Sequence, residues 1–318
     1  MTKQPFNPQL RAARFLPRTI ISARTLPTLR LLTKLTRSAR RPDAQVVSVD
    51  ADVSVHVFRP ASARPRTPAL LWIHGGGMVL GDAAQDSGFC RRIADQLNIV
   101  VVSVEYRLAP EHPFPTPLED CYTALKWLAR QPDIDPARIA VGGASAGAGL
   151  AAALALLAKE RGEVRPVLQL LSYPMLDDRT TTRTDIDPRR LRIWSPGSNR
   201  FGWRAYLGAT ASDGNVPPLA APARYDHLSG LPPAWIGVGT NDLFHDEDVT
   251  YARRLQQAGV ASTLHVVPGA YHNFDSIEAK TAVSQAFLQA QTTALDEALN
   301  AAERTHTTGQ PPAPTSRG

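Results

Sequence analysis

"VGGASAGAGL", residues 141–150, surrounds one serine with four glycines and three alanines. It follows the short apolar run that starts at Arg138 and leads into an uncharged stretch reaching Ala158. Two readings compete: a small-residue turn entering a packed helix, or a nucleophile on a turn too sharp for larger neighbours. G-x-S-x-G between a strand and a helix is the second of these, a nucleophile elbow. Gly143 and Gly147 would then leave room where strand and helix backbones cross, and Ser145 would hold a strained backbone. In an Ala- and Gly-rich chain the motif alone leaves the two readings level, so its surroundings decide.

Short, continuous apolar runs surround it: "PALLWIH" (68–74), "NIVVVSVEY" (98–106), "RIAVGG" (138–143), "PVLQLLSY" (166–173), "AWIGVG" (234–239) and "STLHVV" (262–267). Strands buried on both faces have this appearance. Helix-like segments separate most of them: 86–97, 118–130, 146–161, 246–258 and 277–299. The alternation predicts an α/β fold with a mainly parallel sheet. "VSVHVFRP" (53–60) alternates and reads as an edge strand paired with "AQVVSVD" before it.

Ligands of an open parallel sheet bind beyond the carboxyl ends of its strands. Four such ends carry His74-Gly75-Gly76-Gly77, Gly142 to Gly147, Thr240-Asn241-Asp242 and Pro268 to His272. Together they hold a hydroxyl, a carboxylate, an imidazole and glycine-exposed amides, the set acyl transfer needs. Ser145 needs a base, which His272 can supply. Asp242 can fix the imidazole tautomer and stabilise its cation. Amides of the Gly76, Gly77 and Ala146 region can receive the oxyanion, with the positive end of the following helix aimed at the same point. The order Ser145, Asp242, His272 is the one this fold uses.

Competitors exist for several roles. Asp246, Glu247 and Asp248 rival Asp242, but sit at a helix start where acids satisfy free amides. His265 rival to His272 lies inside a strand, while His245, His112 and His227 lack a strand-end position. His74 and Gly75 are expected to shape the glycine loop. Trp194, Trp203 and Tyr206 could line an acyl pocket or pack within a cap.

These residues resemble the hormone-sensitive-lipase-like family of α/β-hydrolase carboxylesterases: "HGGG" (74–77), "YRLAPEHPFPTPLEDC" (106–121), "GASAG" (143–147), "NDLFHDED" (241–248) and "YHNF" (271–274), over about residues 45 to 297. The resemblance implies an eight-stranded α/β-hydrolase sheet with helices on both faces and a small helical cap. It implies a cofactor-free esterase for short to medium acyl chains, with Ser145 as nucleophile, Asp242 as acid, His272 as base, and Gly76, Gly77 and Ala146 as oxyanion donors. Three positions depart from the pattern. Ala144 replaces an Asp or Thr, Met78 replaces an aromatic residue that would shape the acyl pocket, and Asn273 replaces a glycine.

The domain organisation expected is a basic arm over 1–42 forming part of the cap, a catalytic domain over 43–176 and 228–299, a cap insertion over 177–227, and a disordered tail over 300–318. The arm holds Lys3, Lys34, eight arginines and no acid, so the net charge of +6 hides a mildly acidic body. Leu26, Leu29, Leu32 and Leu35 predict an amphipathic arm helix lying on the domain. No zinc-finger or RNA-binding signature accompanies the charge, so nucleic acid is not an expected partner. The expected partner is a small-molecule acyl ester, with a homodimer left open. Arg18, Arg24, Arg30 and Lys34 interrupt the arm before any signal-peptide core of ~7 apolar residues. No run reaches the ~20 residues of a spanning helix. A cytoplasmic location without stable membrane insertion is expected, with peripheral contact by the arm left open. Cys90 and Cys121 read as small core residues in a reducing compartment. No metal-ligand spacing occurs, and the glycine loops lack phosphate-loop and dinucleotide patterns. Alternatives to the esterase are an amidase or deacetylase on the same machinery, or a non-catalytic ligand receptor, against which His272 argues.

Overall fold

The apolar runs assemble into one eight-stranded sheet ordered β1-β2-β4-β3-β5-β6-β7-β8. The computed structural model describes residues 5–39, 44–62, 65–211 and 215–308. Its strands are β1 Gln45–Ser48, β2 Ser54–Phe58, β3 Thr67–Ile73, β4 Val100–Glu105, β5 Ile134–Ala144, β6 Gln169–Ser172, β7 Ala234–Asn241 and β8 Ser262–Tyr271. The β1–β2 and β2–β4 pairs are antiparallel, and every other pair is parallel. The helices are α1 Leu26–Ala39, α2 Ser87–Leu97, α3 Thr116–Ala129, α4 Ala146–Arg161, α5 Pro196–Leu207, α6 His245–Gln257, α7 Phe274–Ile277 and α8 Ala282–Thr308.

Strand side chains alternate between two cores. Ala69, Leu71 and Ile73 join α3, α4 and α6 in one, while Leu70 and Trp72 join α2 and α8 in the other. Helices therefore cover both faces, which explains why the strands read as unbroken apolar runs. Helix α4 is buried from Ala146 to Ala158, so its small residues reflect close approach to the sheet. Gly162 ends it at φ 69°, a left-handed turn that glycine adopts without strain.

Several expectations need correction. The 53–60 segment is not an edge strand: β2 lies between β1 and β4, and β1 takes the edge. Its alternation does not mark a solvent face, since Val55, His56, Val57 and Phe58 are all buried. The loop expected after Val267 is strand as far as Tyr271, because β8 is the opposite edge, where Pro268 leaves no central ladder bond unmade. The helix expected over 277–299 is broken between α7 and α8. Helix α8 continues to Thr308, so residues 300–308 of the expected disordered tail are helical, and 309–318 lie outside the described residues.

The arm helix rests on the domain by its first half only. Leu26 is buried and Leu29 packs on the core, whereas Leu32 and Leu35 are 52% and 62% exposed. Arg30 anchors it through the carbonyls of Val79 and Ala109 and an ion pair to Glu111. Ahead of α1, the arm meets the 177–227 segment: Thr19 Oγ1 donates to Ser195 Oγ, Ser198 Oγ to the Ile21 carbonyl, and Ile193 N to the Pro17 carbonyl. Cys90 and Cys121 are buried free thiols. Among the described residues, no helix is long and apolar enough to cross a membrane.

Candidate active site

Parallel pairing brings the carboxyl ends of β3, β5, β7 and β8 to one edge. Ile73 pairs with Gly143, and Asn241 with Tyr271, so Ser145, Asp242 and His272 each emerge just past paired positions. Ser145 Oγ–H points to His272 Nε2 at 3.0 Å, and His272 Nδ1–H donates to Asp242 Oδ2 at 2.8 Å. The ionised carboxylate can only accept, which assigns the proton to Nδ1 and leaves Nε2 free to accept. Asp242 Oδ1 accepts the Phe244 amide at 3.0 Å, so both its oxygens are held. All three side chains are buried. The imidazole packs edge-on against Tyr173 and Phe244, with ring centroids 4.9 and 5.4 Å away.

Ser145 sits at φ 56°, ψ −120°, outside the regions ordinary residues favour. Its amide donates to the Ser172 carbonyl, and its own carbonyl accepts from Gly149 and Met175. A Cβ at Gly147 would overlap the carbonyl oxygens of Ile73 and His74, and one at Gly143 would meet the backbone of Gly147. The glycines thus permit the crossing of β3, β5 and α4.

The glycine loop is fixed from below. His74 stacks on Tyr106 at 4.3 Å, and Tyr106 donates its hydroxyl to the His74 carbonyl. The Ala109 amide donates to the Met78 carbonyl. A strong ion pair, Arg107 with buried Asp120, braces the same 106–121 stretch. Gly75 lies so close to Ala144 that a Cβ would crowd its carbonyl oxygen at 2.9 Å. Gly76 and Gly77 adopt φ 114° and 63°, and among the described residues no carbonyl takes their amides. Ala146 opens α4, where the first amides have no partner within the helix. Gly76 and Gly77 line the same cavity as Ser145, and Ala146 follows Ser145 in the chain.

A cavity of about 600 Å³ opens on Ser145 and His272. Of the expected pocket residues only Trp194 lines it, its ring covering Gly77. Trp203 packs on Tyr206, and Tyr206 on Phe114, in the apolar core, and neither lines the cavity. Met78 is also buried in that core. Its φ is 64°, in the left-handed region. Asn273 stands in the left-handed region at φ 63°, which asparagine tolerates almost as glycine does. Residues not singled out from sequence also line the cavity, among them Trp72, Asp86, Phe89, Tyr173 and Asp275. The strand-end position of Tyr173 was the one available signal.

The rival acids lie elsewhere. Asp246 pairs with His245 and Arg183. Glu247 does not cap its own helix; it accepts the amides of Leu176 and Asp177 and bonds Thr180 Oγ1. Asp248 is buried with neither oxygen partnered among the described residues. Burial pushes the Glu247 carboxyl up to about 8. An unfolded glutamate releases its proton near 4.3, roughly, while the folded one keeps it. The stability this group supplies is therefore complete below that lower value and is lost as pH rises through 8. Glu247→Gln mimics the protonated side chain. Its stability relative to the parent should rise by about 2 kcal/mol or more between pH 5 and pH 9. Urea unfolding at both values checks this, and a parallel pair of pH profiles refutes it.

Among the described residues no three His, Cys, Asp or Glu side chains group as metal ligands. A family model described as alpha/beta hydrolase fold matches residues 70–276. The chain is similar to Esterase LipI of Mycobacterium tuberculosis, 34% identical over 261 residues, covering 76% of this chain and 79% of that one. It is also similar to an ethyl acetate hydrolase of Pseudomonas putida, 36% identical over 232 residues, covering 69% and 70%. Among solved structures, one titled Bacterial Heroin Esterase superposes with TM-score 0.82 at 36% identity, covering 92% of this chain and 98% of the other.

Proposed function

Because the chain belongs to the alpha/beta hydrolase fold family, in its hormone-sensitive-lipase-like branch, and is a carboxylic ester hydrolase, we propose that it cleaves short- to medium-chain acyl esters through Ser145, His272 and Asp242. The relay of 3.0 and 2.8 Å from Ser145 Oγ through the imidazole to Asp242 carries this reading. His272 Nε2 takes the hydroxyl proton as Oγ attacks the acyl carbon. Asp242 holds Nδ1–H and stabilises the imidazolium. The carbonyl oxygen becomes an oxyanion facing the amides of Gly76, Gly77 and Ala146, each worth about 3–4 kcal/mol by analogy with single-donor deletions. Collapse expels the alcohol, which takes the proton from His272 and leaves an acyl-Ser145 ester. Water then attacks with the same base, and the acid departs.

The chain-length preference is supported by the cavity volume and by Ile20, Ile21, Leu80, Ile193 and Trp194 in its walls. The similarity to an ethyl acetate hydrolase agrees with it. Since those walls come from the 1–42 arm and the 177–227 segment as well as the sheet, the two segments act as a cap over the acyl site.

A p-nitrophenyl series from acetate to palmitate should peak at or below hexanoate. The butyrate ester should outpace p-nitrobutyranilide. A palmitate optimum removes the chain-length reading, and equal turnover of ester and anilide replaces the esterase with an amidase.

A further inference from the structure

One part of the cavity is built for something other than an acyl chain. Asp86, just ahead of α2, and Asp275, in α7, both line it. Each carboxylate is held by a neutral aromatic donor: Trp72 Nε1–H donates to Asp86 Oδ2 at 2.8 Å, and the Tyr173 hydroxyl to Asp275 Oδ1 at 2.9 Å. Among the described residues no lysine or arginine pairs with either acid. Arg92 is exposed at the cavity's rim and bonds to neither.

Two further groups in the same walls are independent of the acids. Ser172 and Gln291 are 1% and 2% exposed, and Ser172 Oγ and Gln291 Oε1 have no hydrogen-bond partner among the described residues. Buried polar atoms are normally satisfied, so such orphans call for an explanation. The cavity thus sets two carboxylates beside unsatisfied oxygens, and although Gln85 and the Ser276 amide also donate to the acids, neither donor carries a positive charge. Burial pushes the Asp275 carboxyl up to about 6, and the Asp86 charge adds a smaller push in the same direction. Trp72 and Phe89, with ring centroids 4.3 Å apart, and Tyr173 add aromatic faces, which attract cations.

We propose that the esters this protein takes carry a protonated amine, seated against Asp86 and Asp275 while the ester carbonyl meets Ser145. The inference rests on the esterase reading and names its substrate class. An ammonium supplies what the site lacks: positive charge for two carboxylates and an N–H donor for Gln291 or Ser172. A purely aliphatic group there would leave both carboxylates desolvated, with hydrogen-bond donors but no counter-charge.

The test compares 2-(dimethylamino)ethyl butyrate with 3-methylbutyl butyrate, which has the same shape with CH in place of NH⁺. The amine ester should have the higher kcat/KM by roughly ten- to a hundredfold, the yield of one hydrogen bond to a charged group. Asp275→Asn and Asp86→Asn should each move that ratio toward one. Using the ratio cancels any disturbance passed through Tyr173 to His272. A parent ratio at or below one, or a ratio unchanged in both variants, overturns the proposal. p-Nitrophenyl butyrate, which lacks the amine, reports on the esterase reading alone. If it is not hydrolysed, calorimetry of the two butyrates with Ser145→Ala decides: tighter binding of the amine ester supports the site, and equal binding overturns it.

Discussion

Ser145→Ala should lower kcat on p-nitrophenyl butyrate by a factor of about a million while leaving the fold intact. The hydroxyl makes one hydrogen bond, to His272, so its removal frees no other buried group. Alanine carries the same Cβ as serine, so the strain at φ 56° is unchanged. The bonds that anchor the turn run through the backbone of residue 145 and survive. The melting temperature should therefore stay within about 2 °C of the parent. His272→Ala should lose a similar factor, and the double variant should fall no further, because groups that act as one unit are not additive. Asp242→Asn should cost about ten-thousandfold, since an amide can present N–H to Nδ1 and favour the wrong tautomer. Retention of a tenth of the parent turnover in Ser145→Ala, or losses that multiply in the double variant, would sink the proposed triad.

How much was legible in the chain follows from where the chemistry sits. Ser145, Asp242 and His272 were readable because each follows an apolar run, and parallel strands deliver their ends to one edge whatever the loops do. Pocket lining was not readable, because it depends on how the arm and the 177–227 segment close over that edge. Trp203 and Tyr206 are aromatic, yet they serve the core, while Asp86 and Asp275 gave no signal among many acids. Asp86 stands at a helix start, the ordinary place for a capping acid, and only its bond to Trp72 and its place in the cavity set it apart. Pro268 looked like a strand end because the edge position of β8 is a tertiary fact. Leu26, Leu29, Leu32 and Leu35 recur every three residues, a step that lags the α-helical turn by about 60° each time, so Leu32 and Leu35 have rotated off the face that Leu26 buries.

The largest stability loss is expected from Gly147→Ala. A methyl group at 147 would overlap the carbonyl oxygens of Ile73 and His74. Those oxygens belong to backbone at the end of β3, an interior strand, so no side-chain rotation relieves the clash. Helix α4 cannot retreat either, because it is buried along most of its length. Something in the frame must move, at a cost of about 4 kcal/mol or more. That is a large share of the ~5–15 kcal/mol that holds a domain together. The same substitution at Gly88 should have the opposite sign. A Cβ there meets nothing within 4 Å, its φ is ordinary, and it lies in α2, where alanine is favoured by up to about 1 kcal/mol. Gly162→Ala falls between them, with open space but φ 69°, at a cost of about 1 kcal/mol. Urea unfolding of the three variants should rank them 147, 162, 88 from most to least destabilised. A Gly147→Ala protein as stable as its parent would mean that β3 and α4 can part freely, and the elbow would then owe its shape to something other than the crossing of their backbones.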